Sequence, residues 1–289
     1  MTILINKDTK VLVQGITGRS GRLQTENMLA YGTQVVAGVT PGKGGTSVQG
    51  VPVYNYVKEA VASHDINAAI SFVPPPFAKD ACFEIIDHKI PLLVLTTEGI
   101  PENDVLEIIQ YGRLKGTRVL GPGTAGLISP GEAKIGAHPG RMYTKGEVGI
   151  VSKSGALSYE VGKNLTEAGI GQTTVVGVGG GPIWGFTQKD AVELFQQDDE
   201  TKIIVLLGEI GGSMEDEAAA YIKAHVTKPV IAMIVGRAAP EGKSLGHAGA
   251  IIEGSKGTAE SKAALLTAAG AKMATTPQEI IALIKELRM

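Results

Sequence analysis

The sequence predicts an α/β protein of two doubly wound parallel-sheet domains, and three observations carry that expectation. Short apolar, β-branched runs alternate with helical patterns along the whole chain, the signature of parallel strands joined by crossover helices. At 289 residues the chain exceeds one typical domain and suits two of about 100–200 residues each. Its 39 glycines against only 4% aromatic residues fit many tight strand-to-helix turns.

Apolar runs bounded by turn residues place the first strands at 10–14, 34–39, 68–73, 92–96 and 117–120. Amphipathic patterns between them place helices at 19–31, 57–63, 77–88 and 103–114. A Gly- and Pro-rich stretch from 121 to 146 reads as a loop, after which the alternation begins again. Strands are then expected at 147–152, 173–178, 203–207, 230–234 and 272–274. Helices are expected at 155–167, 187–196, 214–225, 258–269 and 277–287. The two domains divide near Pro122, giving residues 1–122 and 123–289. No short repeat or low-complexity tract breaks this order.

Hydrophobic residues make up 43% of the chain and charged residues 19%, ordinary for a soluble globular protein with a sizeable core. A formal charge of −2 supplies no basic footprint for nucleic acid and no polybasic membrane signal. Neither is expected as a partner. No stretch reaches the length of a transmembrane helix, and the N-terminus lacks an apolar signal region. The one cysteine, Cys82, rules out an intrachain disulfide and points to a reducing compartment. It lies in a helical pattern and reads as a packed thiol, with no His or second Cys at metal spacing, so no metal site is expected. The expected location is the cytosol of a bacterium or archaeon, or an organelle matrix where a transit peptide has been removed.

In doubly wound sheets ligands bind beyond the carboxyl ends of the strands, and this chain places its oddest residues there. Gly15-Ile16-Thr17-Gly18-Arg19-Ser20-Gly21 follows the first strand and opens a helix, so backbone N–H groups can receive a pyrophosphate. A tight turn without ligand is the plain alternative, because the spacing is not Gly-x-Gly-x-x-Gly. After the second strand comes Thr40-Pro41-Gly42-Lys43-Gly44-Gly45, where an NAD domain carries an acid for the ribose diol. Lys43 suits a ribose phosphate instead, as on NADP or on the 3′-phosphate of coenzyme A. NADP needs a hydride site, and no Tyr-x-x-x-Lys or catalytic His stands in this half. Coenzyme A fits better, with its pantetheine arm along Val73, Pro74 and the next residues and then Thr96, Thr97 and Glu98.

Of five histidines, His64, His88, His138 and His225 lie in polar or connecting surroundings and read as ordinary. His247, in Gly246-His247-Ala248-Gly249-Ala250-Ile251, has neighbours small enough to let another molecule approach. Ser154-Gly155 reads as an N-cap and an open helix start, which alone is a plain cap or, with a ligand, an anion site. Glu209 ends an apolar strand before Gly211-Gly212. Its carboxylate can hold one imidazole nitrogen of His247 and leave the other as nucleophile. A histidine nucleophile, an orienting acid and an anion-binding helix start together describe phosphoryl transfer through phosphohistidine.

Four segments carry a resemblance over essentially the whole chain: residues 38–45, Thr97-Glu98-Gly99-Ile100-Pro101, residues 208–212 and residues 246–251. In them the chain is similar to the α-subunit family of succinyl-CoA synthetases (succinate–CoA ligases). The resemblance implies a Rossmann-like CoA-binding domain followed by a flavodoxin-like ligase domain. It implies CoA contacts from Thr17, Gly18, Arg19, Ser20, Lys43, Thr96, Thr97 and Glu98. His247 would be phosphorylated during turnover and steadied by Glu209, with Ser154 and Gly155 receiving phosphate. Tyr159, Gly123 and Thr124 would meet the small carboxylic acid. The implied partner is a β subunit of ATP-grasp fold that binds Mg²⁺ and ATP or GTP, in an αβ or α2β2 assembly.

Departures from the family pattern cluster around the second half. Gly121-Pro122-Gly123-Thr124-Ala125-Gly126 stands for Gly-Pro-Asn-Cys/Thr-Pro-Gly, and Gly179-Gly180-Gly181-Pro182 for Gly-Gly-Asp-Pro. Ile183-Trp184-Gly185 follows the second. Lys153 replaces the Arg of Ser-Arg-Ser-Gly, removing a planar bidentate donor. Ser244-Leu245 replaces Arg-Met before Gly246-His247. Succinate is the expected acid. The alternatives are a paralogous ligase for malate or citrate, and a non-catalytic CoA-binding regulatory or redox-sensing module. An NADP oxidoreductase ranks third.

Overall fold

The computed structural model describes residues 2–239, 246–252 and 257–288. The Ser244-Leu245 departure lies outside the described residues. No helix among the described residues is long and apolar enough to cross a membrane.

The first sheet holds β1 (Lys10–Gln14), β2 (Gln34–Val39), β3 (Ser47–Val48), β4 (Val51–Tyr54), β5 (Ala68–Ser71), β6 (Leu92–Leu95) and β7 (Arg118–Leu120). Helices α1 (Arg19–Tyr31), α2 (Val57–Ser63), α3 (Pro75–Asp87) and α4 (Glu102–Lys115) cross between them. The strand order is β3-β4-β2-β1-β5-β6-β7. Counted over the parallel strands alone it is 3-2-1-4-5-6, the Rossmann order.

The second sheet holds β8 (Gly126–Ser129), β9 (Ala133–Gly136), β10 (Lys145–Ser152), β11 (Gln172–Gly177), β12 (Ile203–Glu209), β13 (Val230–Val235) and β14 (Lys272–Ala274). Its helices are α5 (Gly155–Glu167), α6 (Gln188–Gln197), α7 (Met214–His225), α8 (Ala259–Ala268) and α9 (Pro277–Leu287). The order β14-β13-β12-β10-β11-β8-β9 reduces over its parallel strands to 2-1-3-4-5, the flavodoxin-like order.

Both sheets are doubly wound and parallel in their bodies, as expected, and each adds antiparallel pairing at one edge. β3 runs antiparallel to β4, and β8 antiparallel to both β9 and β11. The stretch expected to be a loop from 121 to 146 contains β8, β9 and a 3-10 turn at Gly140–Met142. The helix expected from 77 begins at Pro75, because proline at the first helical positions forfeits no hydrogen bond.

Parallel strands covered on both faces read as continuous apolar runs, and here every residue of β5, β6, β11 and β12 is buried. One contiguous core passes from Val11, Val13 and Ile70 of the first sheet to Leu127, Val151 and Val176 of the second. The halves therefore meet across an apolar seam. Thr33 stitches it: its hydroxyl donates to the Lys134 carbonyl and accepts from the Lys134 N–H, both at 2.9 Å.

Candidate functional site

In each sheet the strand order reverses beside a central strand, and the crevice at that reversal is where α/β folds bind ligands. In the second sheet β10 lies between β11 and β12. The C-terminal ends of β10 and β12 carry Lys153 and Glu209 into the crevice. The loop bearing His247 closes over them. The imidazole Nδ1 lies 2.6 Å from Glu209 Oε2. Facing a carboxylate, Nδ1 carries the proton and donates it, so Nε2 is the ring nitrogen that holds the lone pair. The hydrogen bond to Glu209 raises the His247 pKa above its ordinary value, opposed by burial and by Lys153 and aided by the charge of Glu98.

The ring rests on Gly180, where any side chain would collide with it. A Cβ there would stand 2.1 Å from His247 Cγ and 2.3 Å from Nδ1. The Gly249 N–H donates to the Gly180 carbonyl at 3.1 Å, zipping the two loops together. The expectation that small neighbours of His247 leave room for an outside molecule is corrected at Gly249. Its Cβ position is closed by the chain's own Gly181 carbonyl, 2.8 Å away. Among the described residues nothing lies within 4 Å of a Cβ built on Gly246.

Beneath the histidine lies a buried group of two lysines and two glutamates. Lys153 Nζ is 3.4 Å from Glu209 Oε1 and 3.7 Å from Glu215 Oε1. Lys262 Nζ is 2.5 Å from Glu215 Oε2, and also donates to the Glu209 carbonyl at 2.8 Å and to the Gly211 carbonyl. Glu215 accepts in turn from the Glu209 N–H at 3.0 Å. The Lys153 ammonium also lies over the Trp184 ring, 5.2 Å from its centre. Burial pulls the Lys262 pKa down, and the charge and hydrogen bond of Glu215 work against that pull. The formal charges cancel, which is the condition for keeping four ions out of water.

His247 opens onto a cavity of about 360 Å³ that both halves line. Glu98, Ile100 and Val105 come from the first half, and Gly123, Gly180 and Ile183 from the second. Gly123 sits against Glu98, and its N–H donates to the Thr97 carbonyl at 3.2 Å. Thr124 does not present its hydroxyl to the cavity. That hydroxyl donates to the Gly177 carbonyl at 2.5 Å and accepts from the Gly126 N–H at 2.8 Å. Ser154 caps α5 by accepting from the Leu157 N–H at 3.3 Å, and Gly155 packs beside Ala125 and the Tyr159 ring. These three lie one step away, around Ala125, rather than in the cavity wall.

In the first sheet β1 lies between β2 and β5. Gly15 turns the chain there with φ +76, and α1 opens at Gly18 without a side-chain cap. Its first N–H groups, with Arg19 and Ser20 exposed beside them, are an available anion seat. The Thr17 and Thr40 hydroxyls lie 3.2 Å apart. Lys43 stands exposed in a loop that Asn55 holds, its Oδ1 accepting from the Gly42 and Gly44 N–H groups at 2.9 and 3.0 Å. Beside it a cavity of about 670 Å³ is lined by Val39, Pro41, Val73, Pro74 and the exposed rings of Tyr56 and Phe77. The Thr96 and Thr97 hydroxyls donate to the Ser71 and Val73 carbonyls at 2.8 and 2.7 Å, tying these strand ends into one wall.

Sequence pattern left Glu215, Lys262 and Asn55 unmarked. The first two sit on helices where charged residues read as solvated faces, and only the fold turns them inward. The glycine triplet 179–181 was visible as a departure, and its tightness is the signal that something packs on it.

Residues 6–99 match the family of CoA binding domains, and residues 151–272 the CoA-ligase family. The chain is 51% identical over 282 residues to the succinate–CoA ligase (ADP-forming) subunit alpha of Aquifex aeolicus, covering 97% of this chain and 92% of that one. Subunit alpha 1 of the same ligase from Archaeoglobus fulgidus is 52% identical, covering 100% and 98%. The alpha subunit of Staphylococcus aureus is 50% identical, covering 97% and 93%. Among solved structures the chain resembles ATP citrate lyase from Methanothrix soehngenii in complex with citrate and coenzyme A. The TM-score is 0.90 at 25% identity, covering 99% of this chain and 51% of that one, so this chain spans about half the longer protein.

Proposed function

Because the chain belongs to the α-subunit family of the succinate–CoA ligases, we propose that His247 is its phosphoryl carrier. The activity is that of an acid–thiol ligase, interconverting succinate, CoA and NTP with succinyl-CoA, NDP and phosphate. A malate or citrate ligase and a non-catalytic module are not favoured beside relatives this similar.

The observation that carries the carrier reading is the 2.6 Å contact between His247 Nδ1 and a buried carboxylate, at the mouth of a cavity both halves line. Neutral Nε2 attacks the phosphorus of an acyl phosphate, a P–N bond forms, and the P–O bond to the acid breaks. The acid leaves as carboxylate, and the ring, still holding its Nδ1 proton, gains positive charge that Glu209 balances. In the second transfer a nucleoside diphosphate oxygen takes the phosphoryl group and the lone pair returns to Nε2. Ser154 caps α5, its own N–H given to Ser152 Oγ at 3.1 Å, and the Gly155 end of the helix, one step from the cavity, directs its dipole toward the travelling phosphoryl group.

Coenzyme A, the thiol substrate, suits the first-sheet site. The α1 opening at Thr17, Gly18, Arg19 and Ser20 takes its pyrophosphate, Lys43 its 3′-phosphate, and the apolar cavity beside Val73 and Pro74 its adenosine end. The arm then follows Thr96, Thr97 and Glu98 to the cavity at Gly123. There the Gly123 backbone meets the acid, with Tyr159 one step behind it beside Gly155, and Thr124 shapes the turn. Residues 1–122 thus form the CoA-binding domain and residues 123–289 the ligase domain. The nucleotide and Mg²⁺ belong to a β subunit of ATP-grasp fold, in an αβ or α2β2 assembly in the cytoplasm.

The test is acid-labile label on His247 after mixing the chain with its β partner and γ-labelled ATP. Wild type takes up about one phosphate per α subunit, and His247→Asn takes up none. Label on the Asn variant, or an unlabelled wild type, refutes the carrier reading.

A further inference from the structure

Away from both cavities, a third of about 330 Å³ opens at the seam between α1 of the first half and β9 of the second. Asn27 and Tyr31 of α1 form one wall, and Lys134, Gly140 and Arg141 the other. Lys134 lies on β9 and is only 4% exposed. The other two deeply buried lysines described above, Lys153 and Lys262, each face glutamates. Lys134 has no such partner: among the described residues its ammonium makes neither a hydrogen bond nor an ion pair. Arg141, exposed on the rim, makes none with its side chain either. Two cations therefore converge on one cavity with no acid facing them.

The Lys134 stem is buried while its ammonium reaches the cavity, and a charge so desolvated must either give up its proton or take a counter-ion, for which the cavity leaves room. Burial draws the Lys134 pKa down, and no carboxylate works against it. Arg141 offers a planar fork and Lys134 a point charge, the pairing that suits a compact oxyanion. The cavity lies at the small end of ligand sites, too tight for a whole coenzyme A.

We propose that Lys134 and Arg141 hold a small, multiply charged oxyanion, phosphate or a dicarboxylate, in this seam cavity. The anion bridges the two halves, since its seat is built from α1 on one side and from β9 and the following turn on the other. The proposal stands apart from the phosphohistidine reading and survives if that reading fails.

The experiment measures melting temperature of the chain assembled with its β partner, titrated with inorganic phosphate and separately with succinate. Sodium chloride of equal ionic strength is the control. Wild type is expected to rise in melting temperature with both anions beyond the chloride control, since each is also a ligand of the proposed reaction, and the anion whose effect falls in the variants identifies the class. Lys134→Met is expected to weaken the apparent affinity by roughly tenfold or more, the scale of one charge-assisted contact. Arg141→Ala, an exposed change that leaves packing intact, should weaken it in the same direction, and it carries the test alone if Lys134→Met fails to fold. Titrations in both variants that match wild type, or a wild type that answers to neither anion, overturn the proposal.

Discussion

Substituting Gly180 by alanine isolates the geometry of the histidine from its chemistry. The added methyl would stand 2.1 Å from His247 Cγ, where ordinary contact begins at about 3.4 Å. The ring must therefore retreat by more than about 1 Å. Backbone strain plays no part, because Gly180 does not need the left-handed conformation. A retreat of that size breaks the 2.6 Å contact with Glu209, a charge-assisted hydrogen bond of about 1.5–3 kcal/mol. Misplacing a reacting group by about 1 Å costs on the order of 10²-fold in rate. Single-turnover transfer of labelled phosphate to His247, in the presence of the β partner, should slow by that factor. The CoA affinity, set in the other sheet, should stay within about twofold. Wild-type labelling in a folded Gly180→Ala variant would refute the idea that this glycine seats the imidazole.

Two further outcomes test the electrostatics. Glu209→Gln removes the main cause of the raised His247 pKa. The nucleophile must be neutral, so the acid limb of phosphoryl transfer in wild type should lie above the ordinary histidine value. In the variant the limb should move to lower pH while the plateau rate falls roughly 10- to 100-fold; an unmoved limb would detach Glu209 from this role. The same sign governs stability: the Glu209 contact stabilises the fold below the unfolded histidine pKa, and that contribution fades as pH rises through the folded value. At the other end, Lys43→Ala should weaken coenzyme A by about tenfold and dephospho-coenzyme A far less, measured by calorimetry. Equal losses would argue against a 3′-phosphate contact.

The central parallel strands and their crossover helices were legible because most bury both faces and so write a continuous apolar run between turn residues; β4, which runs parallel to β2, was not, its four residues holding an exposed Pro52. The edges were not. β3 is two residues long, below the length at which alternation shows, and the Gln49-Gly50 turn that pairs it with β4 has none of the Asn or Asp that usually announce a hairpin. β8 and β9 hide in a stretch whose glycines and proline read as loop. At Gly126 that composition serves close strand approach instead, since a Cβ would lie 1.9 Å from the Ile135 carbonyl. Within the site, His247 and Glu209 could be singled out because apolar or glycine-rich surroundings make a titratable residue conspicuous. Thr124 entered only through the family resemblance, and no residue pattern foretold that the backbone of Gly177 and Gly126 would hold its hydroxyl.

The neutral set of Lys153, Glu209, Glu215 and Lys262 also constrains how such a subunit can drift through mutation. Losing any one of the four strands an opposite charge away from water, at about 3–5 kcal/mol, while a whole domain is stable by only about 5–15 kcal/mol. A lineage that no longer needs the histidine can discard His247 in one step, because it is the rim of the set and half-exposed. It discards any ion beneath only at that cost in stability. Descendants that have lost the reaction should therefore still carry the four buried charges, as the fossil of a site whose working residue has gone.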